Sequence, residues 1–187
     1  MREQDITNYW QYFLCLEGDL SEASRYAEPM GQPSVYSFEY YKIITLACAE
    51  TETVFKLICK KIDANESPRC ITDYAKIILR QYPQIIDTKV IVSRINETIK
   101  PFEEWTIGKC TFWWDEHQDI KHNRHMFFKK ATYKNALYSL AGLYVLLLYL
   151  YKISTLKLPN ESKYFYNDAV CQYLCCKGSG ELPDFAQ

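Results

Sequence analysis

Glycine and proline are scarce in this chain, six and seven among 187 residues. With so few places to turn, an architecture of many short strands is disfavoured and long helices are expected. Net charge is also nearly absent, at −1, so no global field draws the protein to nucleic acid or to an anionic membrane. Any basic footprint must therefore be local. There is no Gly-rich phosphate loop to support a nucleotide sensor, no HExxH pair and no CxxC pair. The first residues, Met1 to Asp5, are charged and lack the apolar core of a secretion signal, so a reducing cytoplasmic location is expected.

What is present is apolar and aromatic. Hydrophobic residues make up 48% and charged residues 24%, the balance of a folded soluble protein, and the length suits one domain able to bury a core. Aromatics reach 16%, with 16 tyrosines, and packing is the expected use of most of them. Of the eight cysteines, Cys15, Cys48 and Cys59 lie in apolar helical patterns and read as small core residues. Cys171, Cys175 and Cys176 could begin a metal site, but no further ligand spacing completes a set of four, so neither metal nor cofactor is expected.

The periodicity predicts an all-α, single-domain helical bundle of about five to six helices around a central apolar helix at about 132–153. A first helix runs from Asp5 to Glu28, with Gly18 as a place where it can split. A second runs from Ser37 to Ile62, with Ser37 or Ser34 as its cap and Ile43, Ala47, Val54, Leu57 and Ile58 on one face. Ile71 to Tyr82 has helical spacing and stops before Pro83. Residues 88–93 are β-branched and read as one short strand or an extended connection. Pro101 to Trp105 forms a turn that drops Phe102 and Trp105 onto the core. Thr111 to His122 is a short helix that opens on Phe112, Trp113 and Trp114. Thr132 caps the apolar helix, in which Gly142 lets a neighbour approach closely. That helix is shorter than the about 20 apolar residues of a membrane span and has lysines at both ends, so a buried core helix is the reading and no membrane is expected. A last helix, Asn160 to Cys176, covers it, and residues 178–187 form a polar tail.

One segment concentrates the chemistry. Lys121 to Lys130 holds four permanent cations and two histidines with no acid. On a helix over 111–122, Asp115, Gln118 or Asp119, and His122 share a face. Three readings stand: a carboxylate and imidazole metal site, a proton-transfer site in which His122 titrates near neutrality beside Lys121 and Arg124, or a solvated polar helix end. Glu50 is the second oddity. At 100° per residue it falls inside the apolar stripe of its helix, where a carboxylate needs a partner. It is expected either to reach solvent or to serve as the internal counter-ion of Lys121, His122 or Arg124.

The order Trp113-Trp114, then Lys121-His122-Asn123-Arg124, then a loop and a long apolar helix, resembles bacterial members of the HEPN superfamily of small all-α proteins. The resemblance covers roughly Thr111 to Tyr151. It implies a bacterial toxin or defence system, RNA as ligand, metal-independent endoribonuclease activity, a homodimer, and a cognate antitoxin or nucleotidyltransferase as partner. The family motif is an Arg, often followed by Asn, with four to six residues between the Arg and a His. Here His122 matches the motif His, while His117 stands for the Arg and Gln118 for the Asn. An imidazole lacks the planar fork with which Arg holds a phosphate. On this reading His122, Arg124 and Lys121 carry catalysis, with Glu50, Gln118, Asp119 and His117 in support. The alternative is a non-catalytic interaction module in which the Lys-His-x-Arg cluster is an internal polar network.

Overall fold

The computed structural model describes residues 3–26, 31–158, 162–170 and 182–186. Five α-helices are defined among them: α1 (Glu3–Ala23), α2 (Phe38–Ile62), α3 (Ile71–Gln81), α4 (Phe112–Phe127) and α5 (Tyr133–Ile153). Single 3-10 turns at Pro83–Asp87 and Phe128–Lys130 follow α3 and α4. Three short strands complete the structure, β1 (Val90–Val92), β2 (Glu97–Ile99) and β3 (Phe165–Tyr166). The protein is thus mostly helical, with one small antiparallel sheet in the order β2-β1-β3. The predominantly helical expectation fits, and the extended segment expected near 88–93 is part of a three-stranded sheet.

Local chemistry explains the helix starts. The Ser37 hydroxyl accepts from the Tyr40 amide at 3.1 Å, and the Thr132 hydroxyl accepts from the Asn135 amide at 3.2 Å. These two caps are stitched side by side, because the Ser37 amide donates to Ala131 and the Tyr133 amide donates to Val35, each at 3.1 Å. α2 and α5 therefore leave a common point and pack on each other more extensively than any other pair. α1 packs on both, and α4 on both as well. α5 is the one helix among the described residues long and apolar enough to cross a membrane, but 83% of its most apolar window is buried inside the protein. Gly18 does not split α1, which runs through it unbroken.

Gly142 has a definite occupant opposite it. A Cβ there would lie 2.6 Å from the Trp113 ring, so only glycine lets α4 seat its indole on α5. Trp113 is fully buried and its ring N–H donates to the Pro101 carbonyl at 2.8 Å. That bond ties α4 to the turn expected at 101–105, in which Phe102 and Trp105 are buried.

β1 is the strand expected near 88–93. Val90 and Val92 are buried, and β1 pairs Val90 with Ile99 of β2 and Val92 with Phe165 of β3. Asn96, in the left-handed region at φ 52°, turns the chain between β1 and β2, a conformation asparagine tolerates. β3 lies where the last helix was expected, and helical structure begins only at Asp168; residues 160, 161 and 171–176 of that expected helix, with Cys171, Cys175 and Cys176, lie outside the described residues.

The segment before β3 is held by a carboxylate. Glu17 is buried on α1 and accepts from the Tyr164 amide at 2.8 Å, from the Lys163 amide at 3.3 Å and from the Ser162 hydroxyl. Three donors compensate the cost of burying its charge. The tail expected to be polar is not wholly solvated either. Phe185 is fully buried against Tyr149, with their ring centroids 5.5 Å apart, and the Lys152 ammonium donates to the Pro183 carbonyl at 2.7 Å.

Candidate nucleic-acid interface

α4 changes character along its length. Its first part buries Trp113, Trp114, His117 and Ile120, positions that recur on one helical face. Trp114 meets Phe55 of α2 at 6.0 Å between centroids, and His117 meets Trp114 at 5.9 Å. His117 is 6% exposed, and burial pushes its pKa down to about 4, with the charges of Lys121 and His122 adding to the effect and Glu52 opposing it. Its Nδ1 lies 3.4 Å from the Gln118 amide nitrogen. At neutral pH His117 is therefore an uncharged ring inside the core.

Helical geometry breaks at Asn123, with φ −139° and ψ 50°. From Lys121 to Met126 every residue is exposed. Among the described residues, Lys121, His122, Arg124, His125 and Lys129 form no ion pair. The inward orientation expected of His122 and Arg124 is not what the structure shows. Asp119 pairs with Lys130 at 2.7 Å, and Glu116 with the same ammonium at 3.3 Å, which uses both carboxylates to tie α4 to the 3-10 turn that follows it. Asp115 is exposed, and no group of three or more His, Cys, Asp or Glu residues suited to a metal occurs among the described residues.

Of the two expectations for Glu50, the internal counter-ion is not what the structure shows. Glu50 is half-buried, burial raises its carboxyl pKa, and its field is felt by Tyr9 and Tyr12 of α1. The effect on Tyr9 and Tyr12 places it on the α1 side of α2, and among the described residues it forms no ion pair with Lys121, His122 or Arg124. Lys121 instead acts on His117 and on the buried Cys48, whose thiol burial pushes up. Cys59 is likewise buried, with its thiol pushed up to about 12, whereas Cys15 is exposed and not a core residue.

The structure adds partners that the sequence reading did not include. The Arg124 guanidinium sits over the Tyr41 ring, 5.3 Å from its centroid. Tyr41 contacts Phe128 at 6.4 Å, and Phe128 contacts Phe38 at 4.7 Å and Tyr36 at 5.7 Å. Phe38 is 70% exposed, Met126 67% and Tyr36 45%. The Arg124 guanidinium and these rings thus form one connected series across the start of α2, the end of α4 and the 3-10 turn after it. The signal for Phe38 was available: at 100° per residue it lies well off the stripe of Ile43 and Ala47, so an apolar side chain there has no core to enter. Cations of this kind can pair with phosphates, and exposed rings can stack on bases.

In comparisons of sequence and of fold, the chain matches no known family model, no curated protein and no solved structure.

Proposed function

We propose that this protein binds single-stranded RNA on the surface formed by Lys121, His122, Arg124, His125 and Lys129 together with Tyr36, Phe38, Tyr41 and Phe128. The observation that carries the reading is the series from Arg124 to Tyr41, Phe128 and the exposed Phe38, which joins a cation without a carboxylate partner among the described residues to aromatic rings beside the other exposed cations of the α4 end. Single-stranded nucleic acid asks for this combination, positive charge along the backbone and aromatic platforms for unstacked bases.

The same reading keeps the kinship with HEPN-like proteins as a proposal, with α5 as the central helix of a one-domain bundle and two copies meeting at the α4 ends. Binding takes precedence over cleavage in it. A buried, neutral His117 cannot hold a scissile phosphate as the family's arginine does, which leaves His122 as the proton-transfer group and Arg124 or Lys121 as the phosphate ligands. A cytoplasmic setting, and an antitoxin-type or nucleotidyltransferase partner covering the same basic surface, follow from that kinship.

The test is fluorescence anisotropy with a labelled single-stranded RNA of mixed sequence. Phe38→Ala and Arg124→Ala are each expected to weaken binding by about tenfold, since base stacking and a phosphate contact are each worth on the order of 1–3 kcal/mol. Incubation of wild-type protein and His122→Ala with total RNA reads cleavage separately. Affinity unchanged in both binding variants would overturn the proposal.

A further inference from the structure

A second surface lies away from the basic one. Leu79 of α3, Pro83 and Ile86 of the following 3-10 turn, and Trp105 and Ile107 of the loop before α4 line an apolar groove of about 540 Å³. The volume suits a few side chains of a partner. The groove is rigidly framed on its loop side, where backbone bonds between Thr106 and Lys109, at 3.0 and 3.4 Å, close a tight turn with Ile107 and Gly108 at its tip. A further bond, from the Lys109 ammonium to Glu104 at 2.8 Å, braces the same turn. Ile107 is nevertheless 55% exposed, an unusual position for a large aliphatic residue held in so fixed a turn.

The rim has one sign of charge. Lys76 and Arg80, one helical turn apart on α3, are the charged residues lining the groove, and no acid lines it. Lys76 reaches Asp73 at 3.4 Å, whereas Arg80 forms no ion pair among the described residues. An occupant should therefore combine apolar anchors with carboxylates. The groove is open to solvent along its side, so a free lipid chain would stay wet on that side, while a helix brings its own polar face.

We propose that this groove docks an acidic amphipathic helix of a partner protein, its apolar anchors at helical spacing seated between Leu79, Ile86 and Ile107 and its carboxylates facing Arg80 and Lys76. The two cations then fix the polarity of the partner and exclude basic helices.

The proposal is tested with the full chain, isotopically labelled, by NMR titration with three probes. They are a blocked peptide with leucines at helical spacing and glutamate elsewhere, the same peptide with lysine for glutamate, and dodecanoate below its micelle concentration. The glutamate peptide is expected to shift the resonances of Leu79, Ile86 and Ile107, and to bind at least about tenfold more tightly than the lysine peptide. Ile107→Asp and Arg80→Glu, both at exposed positions, should each weaken that binding by about tenfold with the spectrum of the free protein otherwise retained. The inference is overturned if the two peptides bind equally, if the glutamate peptide shows no shifts at millimolar concentration, if Arg80→Glu leaves its affinity unchanged, or if dodecanoate binds more tightly than the peptide.

Discussion

The two ends of α4 differ in burial and in charge. From Phe112 to Ile120 the helix is an anchor, with Trp113 seated on Gly142, Trp114 against Phe55 and a neutral His117 packed on Trp114. From Lys121 to Met126 it is a projecting, cationic end with no carboxylate partners among the described residues. Two histidines five residues apart thus have opposite surroundings. Residue type alone suggests one cluster, but burial divides it, so the buried half fixes the position of the exposed half and only the latter can meet a ligand.

Substitutions in the buried half should cost stability first. Trp113→Ala removes a fully buried indole and its bond to Pro101, and a loss of about 3–5 kcal/mol in urea unfolding is expected. Gly142→Ala presses a methyl group into the same ring and should cost about 1–3 kcal/mol. If either variant unfolds within about 0.5 kcal/mol of wild type, α4 is not anchored as described.

Acid provides an effect of comparable size. His117 has its pKa lowered from 6.5 to about 4 in the folded state, so between those values the unfolded chain binds the additional proton. Its contribution is fully present above pH 6.5 and is lost as the pH falls toward 4, by roughly 3 kcal/mol in all. Unfolding measured from pH 7 to pH 4.5 should therefore show a steeper decline for wild type than for His117→Gln. Parallel curves would place His117 in water and erase the contrast with His122.

The smallest effect on stability belongs to the exposed end. Lys121→Ala combined with Arg124→Ala should change unfolding free energy by no more than about 0.5 kcal/mol beyond the modest loss of the Arg124 contact with Tyr41. A loss of several kcal/mol would show that these cations hold the fold together, in keeping with the network reading and against the surface reading.

Much of the helical framework was legible because its signals are local. Ser37 and Thr132 cap the helices expected of them, Pro83 ends α3, and the apolar sweep of α5 marks a helix buried all round. The sheet was not legible as a sheet. Strands of two and three residues carry no measurable alternation, and β1 meets β3 across more than seventy residues of chain. Glu17 escaped notice for the same reason, since its donors at 162–164 are distant in sequence. At the site, the residues singled out were partly brought together: Lys121, His122 and Arg124 share one exposed end, while Asp119 goes to Lys130, Glu50 to the α1 side and His117 to the core. The helix expected to end at His122 runs on to Phe127 with a break at Asn123, so the cationic segment is a helix end in solvent and not an inward-facing loop. The aromatic neighbours Tyr36, Phe38 and Tyr41 come from α2 and its approach, and only the folded chain brings them to Arg124.

The salt dependence of RNA binding tests the central assignment most directly. Each phosphate contact on a single strand contributes about −0.7 to the slope of log affinity against log salt. If the exposed end of α4 holds the strand, wild-type protein gives a clear negative slope, and replacing both Lys121 and Arg124 by Ala makes it shallower by about 1.4 at unchanged fold stability. An identical slope in the wild type and the double variant, or no binding at low salt, would contradict it.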